Sequence, residues 1–130
     1  RKMMSICMRY ANDREQALAA MADCDVLLAN SREDGMNLVV KEWAVISRRP
    51  GVVIVSETAG VSYETTDSAL TICPLDVEGT AQAMADALDM PTPDRTTRLN
   101  RIRTRVHDWT AAHWLNAQLD ELLQGSATTV

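Results

Sequence analysis

The chain has 130 residues, of which 46% are hydrophobic and 24% are charged, and its 18 acidic residues against 13 Lys and Arg give a formal net charge of −5. This composition is typical of one globular domain and excludes a disordered chain. The acidic balance argues against a nucleic-acid partner, because affinity for nucleic acid depends largely on phosphates neutralised by Lys and Arg.

The cysteine and apolar patterns indicate the cellular context. The three cysteines are scattered among apolar neighbours, which favours reduced thiols over a disulfide framework, and their spacing fits no metal site. Apolar stretches such as Val52–Val55 have the length of a strand and fall short of the roughly 18 residues of a membrane span. We expect a cytoplasmic protein with no membrane partner. Because the sequence begins at Arg1 and runs straight into apolar residues, we also expect it to be a piece of a longer protein.

The first half of the chain alternates between strand and helix patterns. Short apolar runs indicate strands, and apolar residues that recur every three or four positions after a capping side chain indicate helices. The predicted elements are a strand over Met3–Met8, a helix from Asn12 or Asp13 to Cys24, a strand over Asp25–Ala29, a helix from Met36 or Asn37 to Ile46, and a strand over Val52–Val55. The second helix carries only Lys41 and Glu42 as charges, so we expect it to be buried.

The second half predicts one more strand and three helices. They are a strand over Leu70–Cys73, a helix from Asp76 or Val77 to Leu88, a helix over Asp94–Val106 and a helix over Thr110–Leu123. Buried strands that alternate with helices require crossover connections, so the predicted fold class is α/β, a parallel sheet with helices on both faces. The polar tail over 125–130 is expected to fray.

The loop before the second predicted helix is the best candidate for a ligand site, because ligands bind outside the carboxyl ends of parallel strands. Gly35 precedes the helix start, where unpaired N–H groups and the positive end of the helix dipole can hold a diphosphate. Glu42 lies eight residues after Asp34, and a carboxylate there can bind two ribose hydroxyls. The same residues also fit a plain turn, with Asp34 as a helix cap and Glu42 as a solvated side chain.

The segment Arg32–Glu42 reads Arg-Glu-Asp-Gly-Met-Asn-Leu-Val-Val-Lys-Glu, and it closely resembles the Asp-Gly-Met-Asn-Leu-Val-x-Lys-Glu signature of the trehalose-6-phosphate synthases. The resemblance continues in register at Asn12–Arg14, Cys24–Val26, Ser56–Gly60 and Cys73–Asp76. It implies the C-terminal part of a GT-B fold, in which a Rossmann-like domain of a retaining glycosyltransferase binds the donor.

The resemblance implies that Asp34 is the catalytic residue and hydrogen-bonds hydroxyls of the donor sugar. The backbone of Gly35, Met36 and Asn37 is implied to line the same sugar. The implied mechanism is front-face substitution with retention, in which the leaving diphosphate helps to deprotonate the acceptor hydroxyl. The protein then positions the substrates and stabilises charge on the leaving group. No cofactor and no metal are expected, and the expected partners are a nucleotide-sugar donor and a sugar-phosphate acceptor.

The resemblance also implies contacts to the rest of the nucleotide. The amides at Leu38 and Val39 are implied to hold the diphosphate, and Glu42 to bind the ribose. Asn12 stands where the family commonly has Phe, near the nucleotide base. Since an amide can pair with the edge of a guanine, the donor can be GDP-linked as well as UDP-linked. Glu33 stands where the family usually has Arg.

On this basis we divide the chain into a partial Rossmann-like nucleotide-sugar-binding domain over 1–90, C-terminal helices over 91–124 and a frayed tail over 125–130. The family's acceptor-binding domain, and the Arg and Lys that neutralise the diphosphate, have no counterpart here, so we expect the chain alone not to catalyse transfer. A pseudo-glycosyltransferase such as a validoxylamine-phosphate synthase and a non-catalytic nucleotide-sugar-binding module are the alternatives. The oligomeric state is open, and a homo-oligomer is one option.

The two C-terminal helices are interpreted as structural. His107 and His113 are interpreted as surface or interhelical residues, and Trp109 and Trp114 as packing for the last helix. The resemblance implies that the last helix can cross back to the other domain, so some of its apolar surface is expected to be exposed here. Four arginines on one flank of the first of these helices are interpreted as a solvated face, namely Arg95, Arg98, Arg101 and Arg105.

Overall fold

Three parallel strands flanked by helices form the body of the protein. The computed structural model describes residues 6–126, with side chains up to residue 124. Its elements are α1 (Arg14–Asp23), β1 (Val26–Ala29), α2 (Leu38–Ile46), β2 (Val52–Ser56), α3 (Val61–Glu64), β3 (Leu70–Ile72), α4 (Val77–Asp89), α5 (Thr92–Asp108) and α6 (Ala111–Ser126). The sheet order is β1-β2-β3, with every pairing parallel.

The central strand β2 is buried along its whole length. Successive side chains of a strand point to opposite faces, so Val53 and Val55 enter one core and Val52 and Ile54 enter the other. The first core is closed by α2 and α5, and the second by α4 through Ala87. The predicted fold, a parallel sheet covered by helices on both faces, is therefore confirmed.

Polar side chains begin the helices where the sequence predicts them. Asp13 accepts a hydrogen bond from the N–H of Gln16 at 3.0 Å, and Asp76 accepts one from the N–H of Gly79 at 2.9 Å. Each bond satisfies one of the N–H groups that a helix start leaves without an internal partner. These caps fix the starts of α1 and α4.

The predicted strand over Met3–Met8 is wrong for the residues that can be judged. Residues 3–5 lie outside the described part of the chain, and Ile6–Met8 have no regular structure and are exposed. A strand needs a neighbour for its backbone hydrogen bonds, and the described residues offer these three none. At the other end α6 runs through Ser126, so the predicted fraying is not seen at 125 and 126, while 127–130 lie outside the described residues.

Burial is lower than predicted in β1, α2 and α6. Only Ala29 of β1 is buried, and α2 buries one face while Leu38 and Val39 are 56% and 44% exposed. Residues 111–124 of α6 are exposed, including Trp114, and so is Trp109 before it, so the predicted packing of the two Trp side chains is wrong, while the exposed apolar surface expected for this helix is found. Its apolar stripe needs a surface that residues 6–124 do not supply.

The short helix α3 was not predicted, since four residues carry too little periodicity to indicate a helix. His107 and His113 are exposed, as predicted. No helix within the described range, residues 6–126, is long and apolar enough to cross a membrane.

The predicted solvated face of α5 is confirmed at Arg101, which is exposed, while Arg95, Arg98 and Arg105 are half-buried, and three of the four side chains also have partners within the protein. Arg95 donates to the carbonyl of Met90 at 2.7 Å, and Arg101 and Arg105 both form ion pairs with Asp67. The hydrogen bond from Arg105 lowers the pKa of Asp67 to about 2. Among the described residues, Arg98 alone of the four has no hydrogen bond or ion pair. The long guanidinium side chains reach acceptors on neighbouring elements that the sequence pattern does not show.

A fifth arginine joins α5 to the end of α2. Arg103 donates from Nε to the carbonyl of Ala44 at 2.7 Å and from Nη2 to the carbonyl of Ser47 at 2.6 Å. The last carbonyls of a helix have no internal partner, and a cation there also interacts favourably with the helix dipole.

We expect Arg103→Ala to lower the free energy of unfolding by about 1–3 kcal/mol, because two carbonyls lose a charged donor. Arg98→Ala on the same helix is the matched control and should change it by less than about 0.5 kcal/mol. Denaturant unfolding followed by circular dichroism measures both. Equal losses in the two variants would show that the α2 contact contributes nothing specific.

Candidate functional site

The loops that follow β1 and β2 form one hydrogen-bonded unit at the carboxyl end of the sheet. Asp34 and Ala59 form an isolated parallel bridge. The N–H of Asp34 donates to the carbonyl of Thr58 at 3.4 Å, and the N–H of Gly60 donates to the carbonyl of Asp34 at 2.8 Å. This is the edge at which open parallel sheets bind their ligands.

The carboxylate of Asp34 is occupied by its own loop. Oδ1 accepts from the N–H groups of Met36 and Asn37 at 3.1 and 2.9 Å, and Oδ2 accepts from Asn37 Nδ2 at 3.0 Å and Ser31 Oγ at 3.3 Å. A carboxylate offers about four acceptor positions, so all four are used. The backbone N–H of Met36, followed by the bonds from Asn37, lowers the pKa of Asp34. The carboxylate therefore holds this loop in shape.

Asn37 turns the chain into α2. Its backbone is left-handed, with φ 59° and ψ 78°, a conformation that asparagine adopts more readily than most residues. Its side chain is buried, and Oδ1 accepts from the N–H of Val40 at 3.3 Å. One amide thus satisfies the helix start and, through Nδ2, the Asp34 carboxylate.

The first two N–H groups of α2 are available to a ligand. Within residues 6–126, no acceptor bonds the N–H of Leu38 or Val39, and both side chains are exposed. These groups stand at the positive end of the helix dipole, which is an arrangement that binds phosphate groups. The structure thus places the predicted diphosphate amides at an accessible helix start.

Glu42 lies one helical turn beyond Leu38, and its Oε1 accepts from Arg14 Nη2 at 2.9 Å. Arg14 is the first residue of α1, so this ion pair brings the start of α1 beside α2. Asn12 is exposed two residues before Arg14 and has no hydrogen bond among the described residues. Lys41 points elsewhere and pairs with Glu64 of α3 at 2.8 Å.

The structure brings together the predicted site residues of the loop before α2 and of α2 itself. Asp34 through Val39 form one continuous turn and helix start and Glu42 follows on the same helix, whereas Asn12 makes no hydrogen bond with them and lies two residues before Arg14, which pairs with Glu42. Sequence reasoning gave no role to Arg14, or to Gly60 in the second loop. Both lie in the segments that resemble the family, which was the available signal.

A cavity of about 700 Å³ adjoins the site at the ends of all three strands, lined by residues 31–33, Glu57, Thr58 and residues 73–75. Arg32, Glu33 and Glu57 face it with no ion pair to any described residue. Glu33, which stands where an Arg was expected, therefore makes the cavity wall more acidic. In residues 6–126 no group of three or more His, Cys, Asp or Glu side chains is placed to hold a metal ion.

Comparisons with known proteins point to one family. The sequence model described as Glycosyltransferase family 20 matches residues 6–124. The chain is 36% identical over 112 residues to the trehalose-6-phosphate synthase of Sodalis glossinidius, covering 85% of this chain and 24% of that protein. It is 32% identical over 111 residues to the validamine 7-phosphate valienyltransferase of Streptomyces hygroscopicus subsp. jinggangensis, covering 85% of this chain and 22% of that protein.

The solved structures agree. A UDP-forming alpha,alpha-trehalose-phosphate synthase from Burkholderia xenovorans, in complex with glucose-6-phosphate, superposes with a TM-score of 0.78 at 31% identity, covering 87% of this chain and 25% of that one. The chain therefore spans about a quarter of the length of the relatives it matches.

We expect Asp34→Ala to release the loop before α2, because it removes the acceptor of four hydrogen bonds. The folded-state pKa of Asp34 lies below its ordinary value, so the bonds are complete at neutral pH and are lost as the pH falls through that lowered pKa. Amide NMR signals of Met36 and Asn37 measure both effects.

Asp94→Ala at the exposed start of α5 is the matched control, and it should leave these two signals in place. Unchanged Met36 and Asn37 signals in Asp34→Ala, or a transition at the pH of an ordinary aspartate, would contradict the assignment.

Proposed function

This chain belongs to glycosyltransferase family 20, and we therefore propose that it binds the nucleotide-sugar donor of a retaining glycosyltransferase. The reaction of the whole enzyme is the transfer of a glycosyl group from a nucleoside-diphosphate sugar to a sugar phosphate, as in the trehalose-6-phosphate synthases it resembles. Because the chain spans only about a quarter of those relatives, transfer requires residues beyond it.

The observation that carries this proposal is the order of groups along α2. A nucleoside-diphosphate sugar consists of sugar, diphosphate, ribose and base in that order. The chain presents the Asp34 loop, the free amides of Leu38 and Val39 and then the Glu42 carboxylate, and Asn12 lies two residues before Arg14, whose side chain pairs with Glu42. Leu38 and Glu42 are separated by about 6 Å along the helix axis, which suits a phosphate and the ribose hydroxyls of one nucleotide.

The free amides supply the electrostatic part of the chemistry. As the glycosidic bond breaks, negative charge grows on the leaving diphosphate, and fixed N–H donors at Leu38 and Val39 stabilise it without reorganising. A diphosphate oxygen on the same face takes the proton of the acceptor hydroxyl, so the configuration is retained and no protein nucleophile is needed.

Asp34 can contact the donor sugar if the weakest of its four hydrogen bonds within the loop is exchanged for one to a sugar hydroxyl. The bond from Ser31 Oγ, at 3.3 Å, is the longest of the four on this carboxylate. We infer that a sugar hydroxyl replaces it, while the bonds from Met36 and Asn37 keep the loop in place. Asp34 is then both the organiser of the loop and a group that touches the substrate.

The donor and acceptor follow from the relatives. A UDP-forming relative in complex with glucose-6-phosphate supports a UDP-linked donor and a sugar-phosphate acceptor. Asn12 at the base position makes GDP the alternative nucleotide, to be compared directly. Neither the site geometry nor the sequence identities to the relatives favour transfer of a pseudo-sugar. That the protein forms a homo-oligomer stays a prediction.

We expect the chain to bind UDP, and Glu42→Gln to weaken that binding by roughly ten- to a hundredfold, since hydrogen bonds to a charged group are worth about 1.5–3 kcal/mol. Glu78→Gln on the exposed first turn of α4 is the matched control and should bind like the wild type. Isothermal titration with UDP and with GDP measures the affinities. Equal affinity in the wild type and Glu42→Gln would refute the ribose assignment, and a folded wild-type chain that binds neither nucleotide would refute the donor site as a whole.

A further inference from the structure

We propose that Gly60 is a positioning residue of the donor site, because its lack of a side chain allows the loop after β2 to clamp the loop before α2. This inference rests on the proposed function, since it concerns the loop to which the donor sugar and diphosphate are assigned. Gly60 touches neither substrate and acts through Asp34 and Gly35.

Gly60 is in direct contact with the donor loop, which is the segment over residues 31–37 before α2. A Cβ built on Gly60 would collide with the carbonyl oxygen of Gly35, and it would lie 2.9 Å from the carbonyl carbon of Gly35 and 3.4 Å from the amide nitrogen of Met36. The backbone of Gly60 has φ −55° and ψ −34°, which any residue adopts. Available space, and not backbone conformation, is therefore what requires glycine here.

The clamp is tightened by hydrogen bonds across the contact. The N–H of Gly60 donates to the carbonyl of Asp34 at 2.8 Å, and Thr58 Oγ1 donates to the carbonyl of Ser31 at 3.1 Å. Together with the bridge between Asp34 and Ala59, these bonds hold both ends of the segment that carries the Asp34 carboxylate. Gly60 is the point of closest approach between the two loops.

The loop after β2 is the fixed side of the clamp. Ser56 is fully buried at the end of β2, and its Oγ lies 2.6 Å from Thr58 Oγ1 and accepts from the N–H of Thr58 at 3.2 Å. At the other end, Ser62 Oγ donates to the carbonyl of Glu57 at 3.2 Å, and Val61 is buried in the core. A side chain at position 60 would therefore displace the exposed donor loop and leave the loop after β2 in place.

The displacement would reach the groups assigned to the donor. To relieve the collision, Gly35 must move by a distance on the order of 1 Å, and a misplacement of about that size can cost about a hundredfold in enzyme function. Gly35 lies in the chain between Asp34 and the two residues, Met36 and Asn37, whose N–H groups donate to the Asp34 carboxylate. Moving it pulls these bonds apart and turns the amides of Leu38 and Val39 away from the diphosphate.

Gly51 provides a matched control. A Cβ there would also collide, lying 2.6 Å from Cζ2 of Trp43 and 3.0 Å from the carbonyl oxygen of Asp25. This contact is at the amino end of β2, the end of the sheet opposite to the donor loop. Gly51→Ala should therefore reduce stability through Trp43 of α2 without moving the loop at Gly35.

The experiment compares Gly60→Ala and Gly51→Ala with the wild-type chain by amide NMR and by UDP titration. In Gly60→Ala we expect the signals of Met36 and Asn37 to move and the affinity for UDP to fall at least tenfold. In Gly51→Ala we expect a lower melting temperature, unmoved signals at these two residues and an affinity within twofold of the wild type.

Thr58→Val is the second variant, in case Gly60→Ala does not fold. It removes the bond to the Ser31 carbonyl without adding bulk, and it should move the same signals and weaken UDP binding by about three- to tenfold. Thr58→Val with wild-type signals and affinity would overturn the proposal in that case.

A folded Gly60→Ala chain with wild-type signals and wild-type affinity would overturn the proposal, and so would equal losses in Gly60→Ala and Gly51→Ala. Failure of the wild type to bind UDP would instead refute the donor-site assignment. In that event the Met36 and Asn37 signals alone decide whether Gly60 positions the loop.

Discussion

Four hydrogen bonds end on the Asp34 carboxylate, and they close residues 31–37 into a single rigid turn. This turn depends on β2, whose complete burial fixes the loop after it, and that loop in turn holds the backbone of Asp34. The groups assigned to the donor come directly after this turn along the chain. One helix starts where the turn ends, and it places the Asn37 cap, the free amides of Leu38 and Val39 and the Glu42 carboxylate.

Under the proposed function, the electrostatics of the chain indicate that it binds the donor only in part by itself. A chain with a net charge of −5 repels a diphosphate as a whole, so binding depends on local donors at the start of α2. Arg14 is engaged with Glu42 and Lys41 with Glu64, which leaves Arg32, at the neighbouring cavity, without an ion pair to any described residue. A helix start can hold the diphosphate in position, but full neutralisation requires further Arg or Lys. The quarter-length match to the relatives is consistent with that division of labour.

The sequence predicted the local features and missed those that depend on distant contacts. The caps at Asp13 and Asp76, the strand over Val52–Val55 and the contiguous site residues are encoded within a few positions, and they are where the sequence places them. The bonds of Arg103 to α2 and the contact between Gly60 and Gly35 join residues far apart in the chain, so no spacing pattern reveals them. The strand predicted over Met3–Met8 is wrong at residues 6–8, the part of it that the structure describes, because an apolar run specifies a strand only where a partner strand exists.

The central claim is that the nucleotide diphosphate lies on the first two amides of α2. Titrating the isotopically labelled chain with UDP and following every backbone amide by NMR tests it most directly. We expect the largest shifts at Leu38 and Val39, with smaller shifts at Gly35 and Glu42. The largest shifts at Arg32, Thr58 and Leu75 would place the ligand in the neighbouring cavity and contradict the claim, as would a folded chain with no shifts at all.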